Sequence, residues 1–166
     1  MKKALTHSPL GLAISEHLRL EAERSTTFAA EHRMINELCD ELEEIADGLP
    51  TPPRPQQLRL ISAALKAGIP AHCRQEESEL RGYLARWPDA PPYLIAAVEQ
   101  LATDHAENEP LGFELADILD HAAEVGVIRN PDALGYLMRL YFHTMRRHLA
   151  WEEFVASRLF TDAEVD

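Results

Sequence analysis

Residues 131–160 read PDALGYLMRLYFHTMRRHLAWEEFVASRLF. Asn130-Pro131 supplies a cap followed by proline at the first helical position. Leu134, Met138, Tyr141, Met145, His148, Glu152, Val155 and Leu159 then recur at spacings of three and four, which places them on one face of a helix. That face is apolar at both ends and carries an imidazole and a carboxylate in its middle. An unpaired charge turned into a core is costly, so His148 and Glu152 require a partner.

Three earlier segments repeat the arrangement. Phe28, His32, Ile35, Cys39 and Leu42 form one stripe, and Leu65, Ile69, His72, Glu76, Leu80 and Tyr83 a second. Leu94, Val98, Leu101, His105, Glu109, Ala116 and Leu119 form the third. Each stripe holds one histidine, and in three of them a glutamate follows one turn on: His72/Glu76, His105/Glu109 and His148/Glu152. One such pair is an ordinary helix contact, but four helices each turning a histidine inward is a constellation.

The breaks between stripes set the topology. Ser8-Pro9 opens a helix that runs to about Asp47, with Ser25-Thr26-Thr27 dividing off a short N-terminal helix. Pro50 to Pro55 is a stiff linker. A second helix runs from about Gln56 to Trp87, and Gly68 and Pro70 predict a kink in it. After the turn Pro88 to Pro92, a third helix crosses Pro110 and reaches about Glu124, where Gly126 ends it. The fold expected is all-α: one domain over residues 1–166, an up-and-down antiparallel four-helix bundle at 28–160 with a helical extension at 1–27.

Composition bounds the partners. The 166 residues are 46% apolar and 27% charged, ordinary for a globular protein. Lys plus Arg total 16 against 28 Asp plus Glu, a formal net charge of −12, which argues against nucleic acid or an anionic membrane as the main partner. Met1-Lys2-Lys3 mimics the start of a signal peptide, but His7, Ser8 and Pro9 interrupt the apolar run and no cleavage site follows, so a cytoplasmic protein is expected. Two cysteines, Cys39 and Cys73, make no disulfide framework. Core packing is the ordinary role for both, as it is for Tyr83 and Tyr141, although either tyrosine is near enough along its helix to hydrogen-bond a ligand residue.

Imidazoles and carboxylates together suit iron, manganese or zinc. His32, His72, Glu76, His105, Glu109, His148 and Glu152 are seven potential ligands, more than one tetrahedral ion needs, so two metals are expected in mid-bundle. Angles exclude other histidines. His143 is about 140° from His148, and His121 about 160° from His105, so both belong on the surface. His17 lies only about 60° off the first stripe and rivals His32.

Ala30-Glu31-His32-Arg33, His72-Cys73-Arg74-Gln75-Glu76-Glu77, Asp104-His105-Ala106-Glu107-Asn108-Glu109 and Arg147-His148-Leu149-Ala150-Trp151-Glu152-Glu153, in this order, resemble the hemerythrin-like (HHE cation-binding) family. The resemblance implies an oxo- or hydroxo-bridged pair of iron ions with Glu76 and Glu152 bridging and His32, His72, His105 and His148 as terminal ligands. The function expected is to bind, sense or react with O2, peroxide or nitric oxide; the chain is expected to be a monomer or homodimer. An iron store or structural metal bundle with a full site, and a peroxide- or NO-detoxifying redox enzyme, are the alternatives. Glu109 stands where oxygen carriers have a second histidine, which favours ferric iron and puts reversible oxygen carriage in doubt. Glu153, five residues after His148, competes with Glu152 for the bridge.

Overall fold

The computed structural model describes the backbone of residues 9–162 and the side chains of residues 28–159. The elements are α1 (Pro9–Gly48), α2 (Pro55–Ala63), a π-helical turn (Ala64–Gly68), α3 (Ile69–Arg86), α4 (Pro92–Val125) and α5 (Pro131–Asp162), with no strand among the described residues. The fold is an all-α bundle. Contacts divide it into two units, Met1–Ile35 and Asn36–Asp166.

The expected break at Ser25-Thr26-Thr27 does not occur, and the α1 backbone runs through it. Serine and threonine are only mildly poor helix formers, whereas Gly and Pro are the breakers, and none falls there. The expected kink at Gly68 and Pro70 takes a specific form. Pro70 has no N–H, and its ring collides with the carbonyl four residues back in a regular α-helix. The chain widens by one residue instead: the Ile69 N–H reaches back five residues to the Ala64 carbonyl. Lys66 fixes this turn to α4 through Asp117 at 2.6 Å and Asp120 at 2.8 Å.

The helix ends follow their residues. The Asn130 side chain accepts the Ala133 N–H at 3.1 Å, capping α5. Gly126 takes φ 71° and closes α4 by donating to the Ala122 carbonyl. That left-handed conformation strains any residue with a Cβ.

Within the second unit the pairings run antiparallel. Ser62 donates to the Ala116 carbonyl while Glu77 meets His105. Gly112 faces Tyr141 while Asp104 faces His148. Residues 36–48 of α1 pair with α5, where Arg139 bonds Ala46 and Asp47 and Arg146 bonds Asp40 and Glu43.

Two apolar layers stack along these helices. One holds Leu80, Leu94, Leu101, Val155 and Leu159. The other holds Leu42, Leu58, Leu115, Leu119, Met138 and Phe142, all buried. Each such side chain contributes about 1.5–3 kcal/mol on burial. Between the layers, at the level of residues 76, 105, 148 and 152, the interior turns polar. No helix among the described residues is long and apolar enough to cross a membrane.

Candidate metal centre

Glu76 from α3, His105 from α4, and His148 and Glu152 from α5 each present a ligand atom within 4.8 Å of the others. Their exposures are 4%, 7%, 4% and 0%, so two carboxylates and two imidazoles share one dry pocket. His105 Nε2 lies 3.1 Å from Glu152 Oε1 and 3.3 Å from Glu76 Oε2. His148 Nε2 lies 2.7 Å from the same Glu152 oxygen. The two imidazole rings meet edge to face at 4.6 Å between centroids. His72, one turn before Glu76 on α3, is half-buried and brings a ligand atom within 4.8 Å of one on Glu152. Glu152 is therefore common ground between His72 and the other three residues.

A carboxylate stands behind each of these two histidines, within hydrogen-bond distance of His105 alone. His105 Nδ1 meets Glu77 Oε1 at 3.0 Å, and Glu77 is itself held by Arg81 at 3.1 Å. His148 Nδ1 faces Asp104 at 3.7 Å, and Asp104 accepts a hydrogen bond from Gln100 at 2.8 Å. A carboxylate on Nδ1 fixes the ring so that Nε2 points inward, the usual support for a metal-binding imidazole. The sequence reading missed Glu77 and Asp104. Each adjoins a proposed ligand, at Glu76-Glu77 and Asp104-His105, and one residue along a helix turns the side chain about 100° toward the neighbouring helix. The acid beside the ligand was the available signal.

The electrostatics describe a site short of positive charge. Burial pushes the Glu76 carboxyl up to about 8, assisted by Glu152 and opposed by His105. Burial lowers His105, yet hydrogen bonds to Cys73, Glu152 and Glu76 outweigh it and push the imidazole up to about 12. Neither Glu76 oxygen makes a hydrogen bond of normal geometry among the described residues, although His105 stands 3.3 Å away. A buried carboxylate left in that state is expensive. A cation bound by Glu76 and Glu152 removes the penalty, and the donor set of imidazole nitrogen and carboxylate oxygen fits iron, manganese or zinc.

The structure separates the remaining expected ligands. Glu109 is exposed and lies on the rim of a cavity beside His105, outside the cluster. No α4 residue between His105 and Gly112 is buried, and the cavity occupies that level. Glu152 is fully buried and Glu153 exposed, so only the former faces the pocket. His121 and His143 are exposed, as their helical angles require. His32 is buried on α1, with the Phe28 ring 3.9 Å away. The His17 side chain and all of His7 fall outside the described residues.

The family model of the hemerythrin HHE cation-binding domain matches residues 24–159. No curated protein and no solved structure matches the chain. The family match spans all four histidine-bearing segments, and within it the buried residues include the two histidines and two glutamates that can hold a cation. The chain belongs to the hemerythrin HHE cation-binding domain family.

Proposed function

We propose that this protein holds a pair of iron ions and uses them to bind, sense or react with a small redox-active molecule such as O2, peroxide or nitric oxide. The observation that carries the proposal is the shared position of Glu152, within ligand distance both of His72 and of the group Glu76, His105 and His148. A carboxylate in such a place suits bridging two ions, and Glu76 is the second carboxylate of the pair. His72, His105 and His148 are the terminal nitrogen donors of the second unit, and the sequence pattern adds His32 to them. Glu77 keeps Nε2 of His105 inward, and Asp104 faces His148 Nδ1 at 3.7 Å.

Bound iron supplies reversible one-electron chemistry and an open coordination position. The chain supplies the rest. The apolar layers on either side exclude bulk water, the carboxylates offset the ions' charge, and the cavity bordering His105 and His148 gives a small molecule a route in. Glu109 at the rim, rather than in the cluster, favours this reading over a store or structural bundle with every coordination position filled.

Metal analysis of protein purified without chelator tests the proposal, with two iron per chain expected. Fewer than about one iron, or zinc in its place after growth in iron-replete medium, overturns it. Azide, peroxide or nitric oxide added to the iron-loaded protein then reports on the open position by a change in the visible spectrum; an unchanged spectrum refutes reactivity and leaves metal holding alone. His32→Ala is expected to lower iron content and His17→Ala to leave it unchanged.

A further inference from the structure

The cavity beside the cluster measures about 330 Å3. A water molecule occupies about 30 Å3 of liquid, so a diatomic gas or hydrogen peroxide fills only a small part of it. Ligand pockets for small organic molecules begin at about this size. Its walls are largely apolar, with Leu65, Ile69 and Met145 among them. Its arginines and glutamates are two of each sign, and His105, held protonated in the metal-free chain, adds a cation. Arg81 is paired with Glu77, while Arg74 and Glu109 are a second cation and a second anion. Once His105 gives up its proton to a metal, the side chains of the lining balance in charge.

One wall carries a hydroxyl that opens onto the cavity. Tyr141 is 2% exposed and lines the cavity, and its phenol makes no hydrogen bond to any described residue. The ring is buried but the hydroxyl is accessible from the cavity, where it can donate a hydrogen bond to a molecule held there. The neighbouring helix makes room for it. A Cβ on Gly112 would stand 3.2 Å from Tyr141 Cε2, so the ring would have to give by a few tenths of an ångström, and 3.6 Å from the hydroxyl oxygen, an ordinary contact. A glycine in mid-helix costs about 1 kcal/mol against alanine, which a place for the Tyr141 ring accounts for. The wall continues to His105 and His148, so a molecule held by Tyr141 lies against the cluster.

We propose that this cavity is a binding site for a small uncharged organic oxygen compound, an alcohol, phenol or organic hydroperoxide, whose oxygen accepts the Tyr141 hydroxyl proton. The proposal rests on the metal reading only for what the bound molecule faces; the cavity, Tyr141 and Gly112 are independent of it. It narrows the reactive partner from a diatomic gas to an organic molecule that fills the apolar walls.

Methyl-labelled methionine NMR tests it, with benzyl alcohol as the probe and the zinc-loaded protein as a redox-inert sample. Met145 lines the cavity, whereas Met138 is buried elsewhere in the core and Met34 is 64% exposed. Benzyl alcohol is expected to shift the Met145 methyl saturably and to leave the other two unmoved. Tyr141→Phe should weaken binding about three- to tenfold, the worth of one neutral hydrogen bond. Gly112→Ala, which keeps the hydroxyl but displaces the ring, should weaken it too, and Ala102→Leu should fill the cavity and abolish it. Benzoate should bind no tighter than benzyl alcohol. No shift at Met145, equal binding by Tyr141→Phe, or tighter binding of benzoate overturns the proposal. Circular dichroism and metal content on the same samples separate the two readings: a chain that takes up no metal yet binds benzyl alcohol through Tyr141 overturns the metal reading alone.

Discussion

Glu77→Gln isolates what an outer carboxylate does for a buried imidazole. Glu77 Oε1 lies 3.0 Å from His105 Nδ1, and the side chain is anchored on its other oxygen by Arg81. Glutamine keeps the size and can still accept the same hydrogen bond, so only the charge is lost. A hydrogen bond to a charged group is worth about 1.5–3 kcal/mol and a neutral one about 0.5–1.5, a difference near 1.4 kcal/mol or about tenfold in affinity. That agrees with the 10- to 100-fold loss in metal affinity that removal of such partners typically gives. Asp104 provides the internal control. It stands 3.7 Å from His148 Nδ1, beyond direct hydrogen-bond distance, so Asp104→Asn should change affinity by less than about threefold. Competition between the protein and a chromophoric chelator for zinc measures both, with helicity checked by circular dichroism. Glu77→Gln within twofold of the parent protein, or Asp104→Asn as damaging as Glu77→Gln, refutes the reasoning that His105 is the ring oriented by a direct ionic hydrogen bond.

Four further outcomes follow from the same geometry. Glu76→Gln and Glu152→Gln should each lose most of the bound metal while Glu109→Gln and Glu153→Gln retain it, as read by metal content per chain. Metal affinity should fall as pH falls, by about tenfold per unit for each proton displaced, because His105 in the metal-free chain is held protonated up to about 12 and must give up that proton to coordinate. Iodoacetamide at pH 8 should modify Cys73 and spare Cys39, whose thiol burial pushes up to about 11. The raised Cys39 value favours the folded state below pH 9.0, and that contribution disappears as pH climbs toward 11, so Cys39 labelling and loss of stability should both set in over that interval. Deleting Ala67 together with Pro70→Ala removes the one extra residue that the π turn absorbs, so a regular helix should form with Glu76 still facing the cluster, leaving both helicity and metal content intact; loss of metal in this variant would refute the reading of the turn as a one-residue widening.

The helices were legible because their signals are local. Asn130-Pro131, Gly126 and the Pro50 to Pro55 linker act within a turn of where they stand, and the inward histidines follow from spacings of three and four along one helix. The widening at Pro70 was legible as a disturbance but not in its form, since a kink, a break and a π turn all relieve the same collision. The turn's tertiary contacts were not legible either: Lys66 reaches Asp117 and Asp120 on α4, 51 and 54 residues further along the chain.

The three His/Glu pairs show where local reasoning ends. His72/Glu76, His105/Glu109 and His148/Glu152 have identical spacing and identical residue types. Glu76 and Glu152 are buried and Glu109 is exposed. Spacing fixes the direction of one side chain relative to another on its own helix, about 40° apart at i and i+4. Whether the second member reaches the centre depends on what the facing helices place at that height. Opposite Glu76 and Glu152 stands His105, which both carboxylates approach to within 3.3 Å. At the height of Glu109 there is a cavity with Tyr141 on its wall, and Gly112 one turn on holds that tyrosine in place by lacking a side chain. A third inward carboxylate would add a further negative charge to a pocket already short of positive charge, with no imidazole left to meet it. The exposed Glu109, the glycine and the tyrosine are thus one arrangement: the level of α4 that sequence spacing assigns to a ligand is kept clear, and the clearance leads to His105 and His148.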